Sequence, residues 1–437
     1  MFMKLLALEL KEARPKTKYF LAAFVREFGV NDPVQKLVKE LSVTLGISTS
    51  EITKATNFLV ENDFFTRGEM PSVRGRPKWY YGCSTKLVEM LEQQQHPLCS
   101  QHHKSLIIEM FHSELNQYKK SDCQSLQISN KLLLAVMLAH ADESGVVRTL
   151  GRSNLRKLTG MSDDLLKAQI GKLLDKGFIR SYVPGGTNSL LFGAGVGAYF
   201  LNLTKIRTES ASQGTILFYE DMHLDIVLIK LYREMNQQPD KTDRETPEWL
   251  AKAGMTHEDH EKLAHYFSQK PTHGFKLFFI LKINEYASYC LSKHWRNLFA
   301  DNLTDNELIK KIRSDVLPSS RKTNEADSNA ADVWNTLAKL LHNIAFMAAK
   351  NIANNQFRTA KEIDYEEMNH VILPDPEHFG FRTVELHSKK KSKGPNHWFI
   401  SEGKPIEEAE MTLHDKYSYG LLTKPRRTSS AKSLIPE

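Results

Sequence analysis

Along the first quarter of the chain, the apolar positions fall into three successive helical periods. Tyr19, Phe20, Ala23, Phe24 and Phe28 in TKYFLAAFVREFG predict a helix over 17–29. PVQKLVKELSVTLG predicts a second over 33–46, with Pro33 at its first position, Val34, Leu37, Val38, Leu41 and Leu45 on one stripe, and Gly46 as its stop. ISTSEITKATNFLVENDFF predicts a third, with Ser48 or Thr49 as cap and Glu51 placed for a capping box. Ile52, Ala55 and Leu59 form its inner stripe, and Ser50, Thr53, Lys54 and Asn57 share the opposite face. Phe64 and Phe65 then lead into a Gly- and Pro-containing polar stretch. Lys78 to Gly82 has strand propensity, so a hairpin is expected, with a Ser-capped helix over 84–95 closing the unit.

Helix, helix, capped helix, hairpin, helix is the order of a winged helix-turn-helix module. The hairpin tip reads SVRGRPKWYYG, with Arg74, Gly75, Arg76, Pro77 and Lys78 directly before Trp79, Tyr80 and Tyr81. This "GRP, basic, then aromatics" run resembles the wing of PadR-type and related bacterial winged-helix regulators. The resemblance covers only this module and implies a DNA-binding fold there. Arg-Gly-Arg-Pro also carries AT-hook logic, two arginines laid along a narrow minor groove with glycine allowing close approach. Trp79, Tyr80 and Tyr81 are expected to alternate across the returning strand as packing residues, with base stacking the rarer use. Candidate DNA contacts are therefore Ser48, Thr49, Ser50, Thr53, Lys54 and Asn57 on the helix, and Arg74, Gly75, Arg76 and Lys78 on the wing.

After a helical connector the order repeats. ISNKLLLAVMLAHADE (128–143) predicts an apolar helix and GVVRTLG (145–151) a short strand. RSNLRKLTG and MSDDLLKAQIGKLLDKGFI predict a helix pair with Ser162 as cap, and IRSYVPGGTNSLLFGAG supplies two strand-like runs around a Pro-Gly-Gly turn. The LTGMS-helix-GFI run resembles helix-turn-helix modules of bacterial replication and regulatory proteins. This copy carries Asp163 and Asp164 at the start of its capped helix and has no cation in PGGTNS, so it suits phosphates less well. Arg148, Arg152, Arg156, Lys157 and Lys167 remain candidate auxiliary DNA contacts.

Beyond 215, apolar stripes over 219–236, 246–269, 275–299, 305–315 and 329–353 predict a helical domain for self-association or partner binding. HSKKKSKGPNH (387–397) and KPRRTSSAKS (424–433) read as basic arms. The expected fold is mainly α with small β-hairpins: tandem winged helix-turn-helix modules followed by a helical C-terminal domain. Its divisions are 1–95, a connector at 96–127, a second module at 128–205, a helical assembly domain at 215–375, and a basic, partly flexible tail at 376–437.

Composition changes this picture little. Of 437 residues 41% are hydrophobic, which suits a globular chain, and 59 Lys and Arg against 52 Asp and Glu give a net charge of +7, compatible with a polyanionic partner. Four cysteines, at 83, 99, 123 and 290, fit neither a disulfide framework nor a paired zinc motif. His96, Cys99, His102, His103 and Cys123 have the ligand types for zinc but not the spacing, and His257, His260, Glu261 and His265 lack HExxH. Gly193-Ala-Gly-Val-Gly precedes no GKS or GKT. No catalytic residue, metal or cofactor is expected, and no signal or membrane span is recognisable. The expected function is sequence-specific binding of double-stranded DNA by a cytoplasmic, nucleoid-associated, bacterial-type transcription regulator. It would act as a homodimer or higher homo-oligomer through its C-terminal region, with a further protein partner as an option. Tandem modules also serve plasmid- or phage-type replication initiators and partition proteins, which is the second alternative, and a protein-interaction scaffold is the third.

Overall fold

The structure, a computed structural model, describes residues 1–70, 78–94, 101–111, 125–187, 192, 194–206, 213–219, 248, 251, 253–268, 276–300, 303–317, 328–359, 363–374, 381–389, 397–401, 404–406, 408 and 410–422. The chain is mainly helical with small sheets and divides into two compact units. One comprises 1–179, 200–208 and 425–437, and the other 180–199 and 209–424.

In the first unit, α1 (Phe2–Leu6) precedes α2 (Pro15–Phe28), which starts on a proline whose missing N–H costs a helix nothing at that position. Tyr19 to Val25 are all buried, because α2 packs on α4 (Thr49–Glu61) and on α7 (Ile128–Ala139). A helix covered on two sides has to be apolar almost all round. Phe24 and Phe65 lie with ring centroids 4.9 Å apart, joining α2 to the sheet.

The expected helix over 33–46 is shorter than predicted: Val34–Gln35 form strand β1, and α3 covers Val38–Leu45. Val34 pairs with Tyr81 and Gln35 with Tyr80, so their backbone bonds go to the hairpin rather than into a helix. Leu37, placed by spacing on the inner stripe, is 51% exposed. The hairpin is β2 (Phe65–Met70) and β3 (Lys78–Cys83), and the sheet order is β1-β3-β2. α5 (Thr85–Gln93) follows, capped by Ser84, whose Oγ accepts the Leu87 N–H at 3.2 Å. α6 spans Lys104–Met110.

From α7 the order recurs as β4 (Val146–Val147), α8 (Arg152–Thr159), α9 (Asp163–Asp175), β5 (Ile179–Val183), an inner two-residue pair β6 (Gly186–Thr187) and β7 (Ala194–Gly195), β8 (Ala198–Leu201), and α10 (Leu203–Ile206). The sheet order β4-β8-β5 matches that of the first copy. The repeat keeps strict register through its centre: Gly46 and Gly160 both end a helix at positive φ (64° and 69°), and Ser48 and Ser162 both cap a 13-residue helix. Asp63 and Gly177 then turn at positive φ (60° and 71°), each position 114 residues beyond its counterpart. The division between the two units falls within β5 and β8.

The second unit departs from the expected helical domain. Its helices are α11 (His257–Ser268), α12 (Lys276–His294), α13 (Asn306–Val316) and the 32-residue α14 (Ser328–Thr359). The helical stripe expected over 219–236 lies outside the described residues, apart from Tyr219 in a strand. A five-stranded sheet joins these helices, formed by β9 (Gln213–Tyr219), β10 (Met368–Ile372), β11 (Phe381–Ser388), β12 (His397–Ser401) and β13 (Lys404–Ile406) in the order β10-β11-β9-β12-β13. β9 and β12 run parallel and the other pairs antiparallel. Part of the segment read as a basic, partly flexible tail is thus strand, and a last helix, α15, covers Leu413–Ser418. α12 packs on α14 and on β10, around buried Phe279, Tyr286, Trp334, Leu337, Leu341 and Ile344. No helix among the described residues is long and apolar enough to cross a membrane.

Candidate nucleic-acid interface

The candidate surface starts with how α4 is held. The Glu40 carboxylate accepts the Leu37 N–H at 2.8 Å and fixes the start of α3, while Gly46, at φ 64°, turns the chain into α4. Ser48 Oγ accepts the Glu51 N–H at 3.4 Å. The other half of the expected capping box is absent, because the Glu51 carboxylate reaches Lys16 on α2 at 2.8 Å instead. That ion pair also offsets the one negative charge in the first turn of α4.

Ile52, Ala55 and Leu59 are buried, as their spacing predicts, and so is Thr56, whose hydroxyl donates to the Ile52 carbonyl at 2.9 Å. Anchoring this stripe determines what faces outward. Ser48, Thr49, Ser50, Thr53, Lys54 and Asn57 are all exposed. Thr53 donates its hydroxyl to the Thr49 carbonyl at 2.9 Å, which leaves its oxygen lone pairs as acceptors. The Lys54 and Asn57 side chains make no hydrogen bond or ion pair with other described residues, so a cation and an amide with both donor and acceptor are open to a partner.

On the hairpin, Arg74, Gly75 and Arg76 lie outside the described residues, and Lys78 is described only by its backbone, paired with Met70. The aromatics behind the tip are placed. Tyr81 is 3% exposed and belongs to the core, while Trp79 and Tyr80 are half-buried. The Tyr80 ring lies across Gly68, where a Cβ would come within 2.2 Å of it. Arg67 stacks over the Trp79 ring at 3.8 Å from its centroid and is exposed. This arginine adds a cation to the described part of the hairpin that spacing alone had not singled out. A lone Arg in a strand carries no signal until its cross-strand neighbour is known.

In the second copy, the candidate contacts are differently committed. Arg148 pairs with Asp142, and Arg152 with Asp163 at 3.0 Å. Arg156, Lys157 and Lys167 are exposed. In the register of the repeat, Thr49, Ser50, Thr53, Lys54 and Asn57 correspond to Asp163, Asp164, Lys167, Ala168 and Gly171. The second outward face thus has two carboxylates, the Lys167 cation and two small residues where the first has three hydroxyls, a cation and an amide.

Several other described polar residues are tied into the fold. His103 is buried, with Nε2 2.7 Å from the Asp142 carbonyl, whereas His96, Cys99, Cys123 and Gly193 lie outside the described residues. A Cβ on Gly195 would meet the Phe278 ring at 2.4 Å, so the glycine there allows close packing. In the second unit, Asp305 takes the His294 ring nitrogen at 2.6 Å and accepts the Glu307 and Leu308 N–H groups at 2.8 and 3.0 Å. Burial alone would raise its pKa, but the bonds from Leu308 and His294 and the Lys293 charge hold the carboxyl well below the usual range. Its Oδ1 caps α13, and its Oδ2 is taken by His294 and by the Tyr289 hydroxyl at 3.3 Å. Nearby Cys290 is fully buried and its thiol is pushed up by desolvation, so it is inert as a nucleophile.

No protein-family model, no curated protein and no solved structure matches this chain.

Proposed function

We propose that this chain is a sequence-specific double-stranded DNA-binding protein built on tandem winged helix-turn-helix modules, and that it acts as a bacterial-type transcription regulator. The outward face of α4 carries this reading: six hydroxyl, ammonium and amide side chains are exposed on a helix anchored by a buried apolar stripe. Such a helix, preceded by a glycine turn and followed by a hairpin, suits a major groove, where base edges present matching donors and acceptors. Arg67, Arg74, Arg76 and Lys78 on the hairpin then serve phosphates or the adjacent minor groove. Homodimerisation would give a pseudo-palindromic site, and the reading assigns no catalytic residue, metal or cofactor.

Selection of bound fragments from random duplex DNA, followed by anisotropy titrations of the enriched site, tests the reading. Arg74→Ala with Arg76→Ala is expected to lower affinity and flatten the slope of log K against log salt by about 1.8, roughly 0.9 per lost phosphate contact. Failure to enrich any sequence, with salt-insensitive binding, would leave the protein-interaction scaffold as the better account. The in-register repeat favours one second reading, a plasmid- or phage-type replication initiator or partition protein. Footprinting separates the two: an iterated array supports that role, and a single operator beside a promoter supports regulation.

A further inference from the structure

Most cations of the first unit that have a described partner are neutralised locally: Lys16 by Glu51, Arg26 by Glu27, Lys86 by Asp63, Arg148 by Asp142 and Arg152 by Asp163. Lys11, Arg14, Arg156 and Lys157 are among those with no such pair, and they lie together. These four line a single cavity of about 330 Å³, formed by the segment joining α1 to α2 and by α8 with the turn that follows it. None of the four makes an ion pair with a described residue, although Glu9 and Glu12 share the cavity wall. The cavity is built on fixed structure: Leu10, Ala13 and Met161 are buried, and a Cβ on Gly160 would fall 2.0 Å from the Ala13 carbonyl oxygen. The 14-residue α2 begins beside it at Pro15, with Arg14 as its N-cap residue, and no side chain caps its first N–H groups.

We propose that this cavity binds a phosphate ester, with Lys11, Arg14, Arg156 and Lys157 supplying its cationic ligands. Four unpaired cations against two carboxylates leave a local excess that matches a phosphate dianion. Two guanidinium forks suit its tetrahedral oxygens, and the two ammonium groups act as adjustable point charges. The volume exceeds what bare phosphate needs and lies at the lower end of small-molecule pockets. Glu9 and Glu12 can accept hydrogen bonds only from donors, such as the hydroxyls of a sugar attached to that phosphate. A phosphorylated small molecule of nucleotide size meets all three conditions. Because the α8–α9 turn forms part of the wall, its occupancy would bear on the helix pair of the second module.

The full-length chain is titrated calorimetrically with inorganic phosphate, with adenosine 5′-monophosphate as a phosphate-ester probe, and with adenosine as the control lacking phosphate. Saturable binding of the phosphate-bearing probes, none by adenosine, and weakening of about tenfold or more in Arg156→Gln/Lys157→Gln are expected. Lys11→Gln/Arg14→Gln, on the opposite wall, is expected to do the same, with circular dichroism confirming that both variants fold. Lys54→Ala, on α4, should leave phosphate binding untouched whether or not α4 reads DNA. If duplex DNA competes with the probes and the Arg156→Gln/Lys157→Gln variant flattens the salt slope, the ester in this cavity is a backbone phosphate. No saturable binding by either phosphate-bearing probe, or equal binding in wild type and both double variants, overturns the site.

Discussion

Asn57 and Gly160 carry two different kinds of constraint. Asn57 is exposed and its side chain bonds to no described residue, so truncating it should cost the fold little, within about 0.5 kcal/mol. On the proposed reading, Asn57→Ala loses ~1–3 kcal/mol of binding and relaxes preference at one base pair, which anisotropy on single-substituted sites would detect. Equal loss on every sequence would make Asn57 a phosphate contact instead. Gly160 is the opposite case. Its φ of 69° lies in the left-handed region, and its Cβ position falls 2.0 Å from the Ala13 carbonyl oxygen. Gly160→Ala should therefore destabilise the first unit by more than the ~1–2 kcal/mol of the backbone term alone. Urea titration with a probe in that unit checks this. At this scale the sequence is informative where a residue answers to its own helix. Cap Ser48 and the stripe of Ile52, Ala55 and Leu59 stand where spacing puts them. Arg67 was not legible, because what distinguishes it is the Trp79 ring on the neighbouring strand.

Elements reverse that relation wherever pairing is non-local. Val34, Leu37, Val38, Leu41 and Leu45 continue one helical stripe across a segment that is partly strand, since two residues of β1 are too few to show a period of two. β11 hides for another reason. Thr383 to His387 are buried without interruption, so no alternation marks the strand, and Glu385 and His387 read as solvated tail. What makes a buried Glu385 tolerable is Arg180, whose Nε lies 2.5 Å from its carboxylate while both side chains are inaccessible. Burial alone would raise the Glu385 pKa; the Arg180 charge, with His387, draws it below its usual value. Glu385→Gln should strand a guanidinium charge in the interior and cost about 3–5 kcal/mol, somewhat less where Glu408, 3.7 Å from Arg180, takes over part of the pairing. The double substitution Arg180→Met/Glu385→Leu should cost far less than the two single changes together. A double-mutant cycle by denaturant unfolding measures the difference, and strict additivity would show that the pair is not coupled.

For the whole molecule, two compact units mean that stability need not respond to conditions as one number. The repeat in the first unit was visible as element order in the sequence. The mixed sheet of the second was not, since its strands come from 213–219 and from beyond 368 and meet only in the fold. Acid should separate the units. His370, on β10, stacks on Trp295 with centroids 5.2 Å apart, and burial, aided by the Lys389 and His387 charges, holds its pKa down at about 3 from an ordinary 6.5. Below pH 6.5 the unfolded chain takes up a proton there that the folded chain refuses. Stability is therefore fully present above 6.5 and falls towards pH 3, at up to ~1.4 kcal/mol per pH unit. Glu385, also depressed, adds its own loss only below its ordinary value of 4.5. Between pH 6.5 and 4.5 the slope of the second unit should thus come from His370 together with His342, which burial likewise lowers. The first unit holds His140, likewise lowered by burial, and should show its own slope of the same sign. His370→Phe keeps a ring against Trp295 and removes the proton. It should reduce the pH dependence of the second unit's unfolding midpoint to the part that His342 contributes, followed by tryptophan fluorescence, while leaving the first unit's slope as it was. An unchanged slope in His370→Phe would place the acid sensitivity of that unit elsewhere.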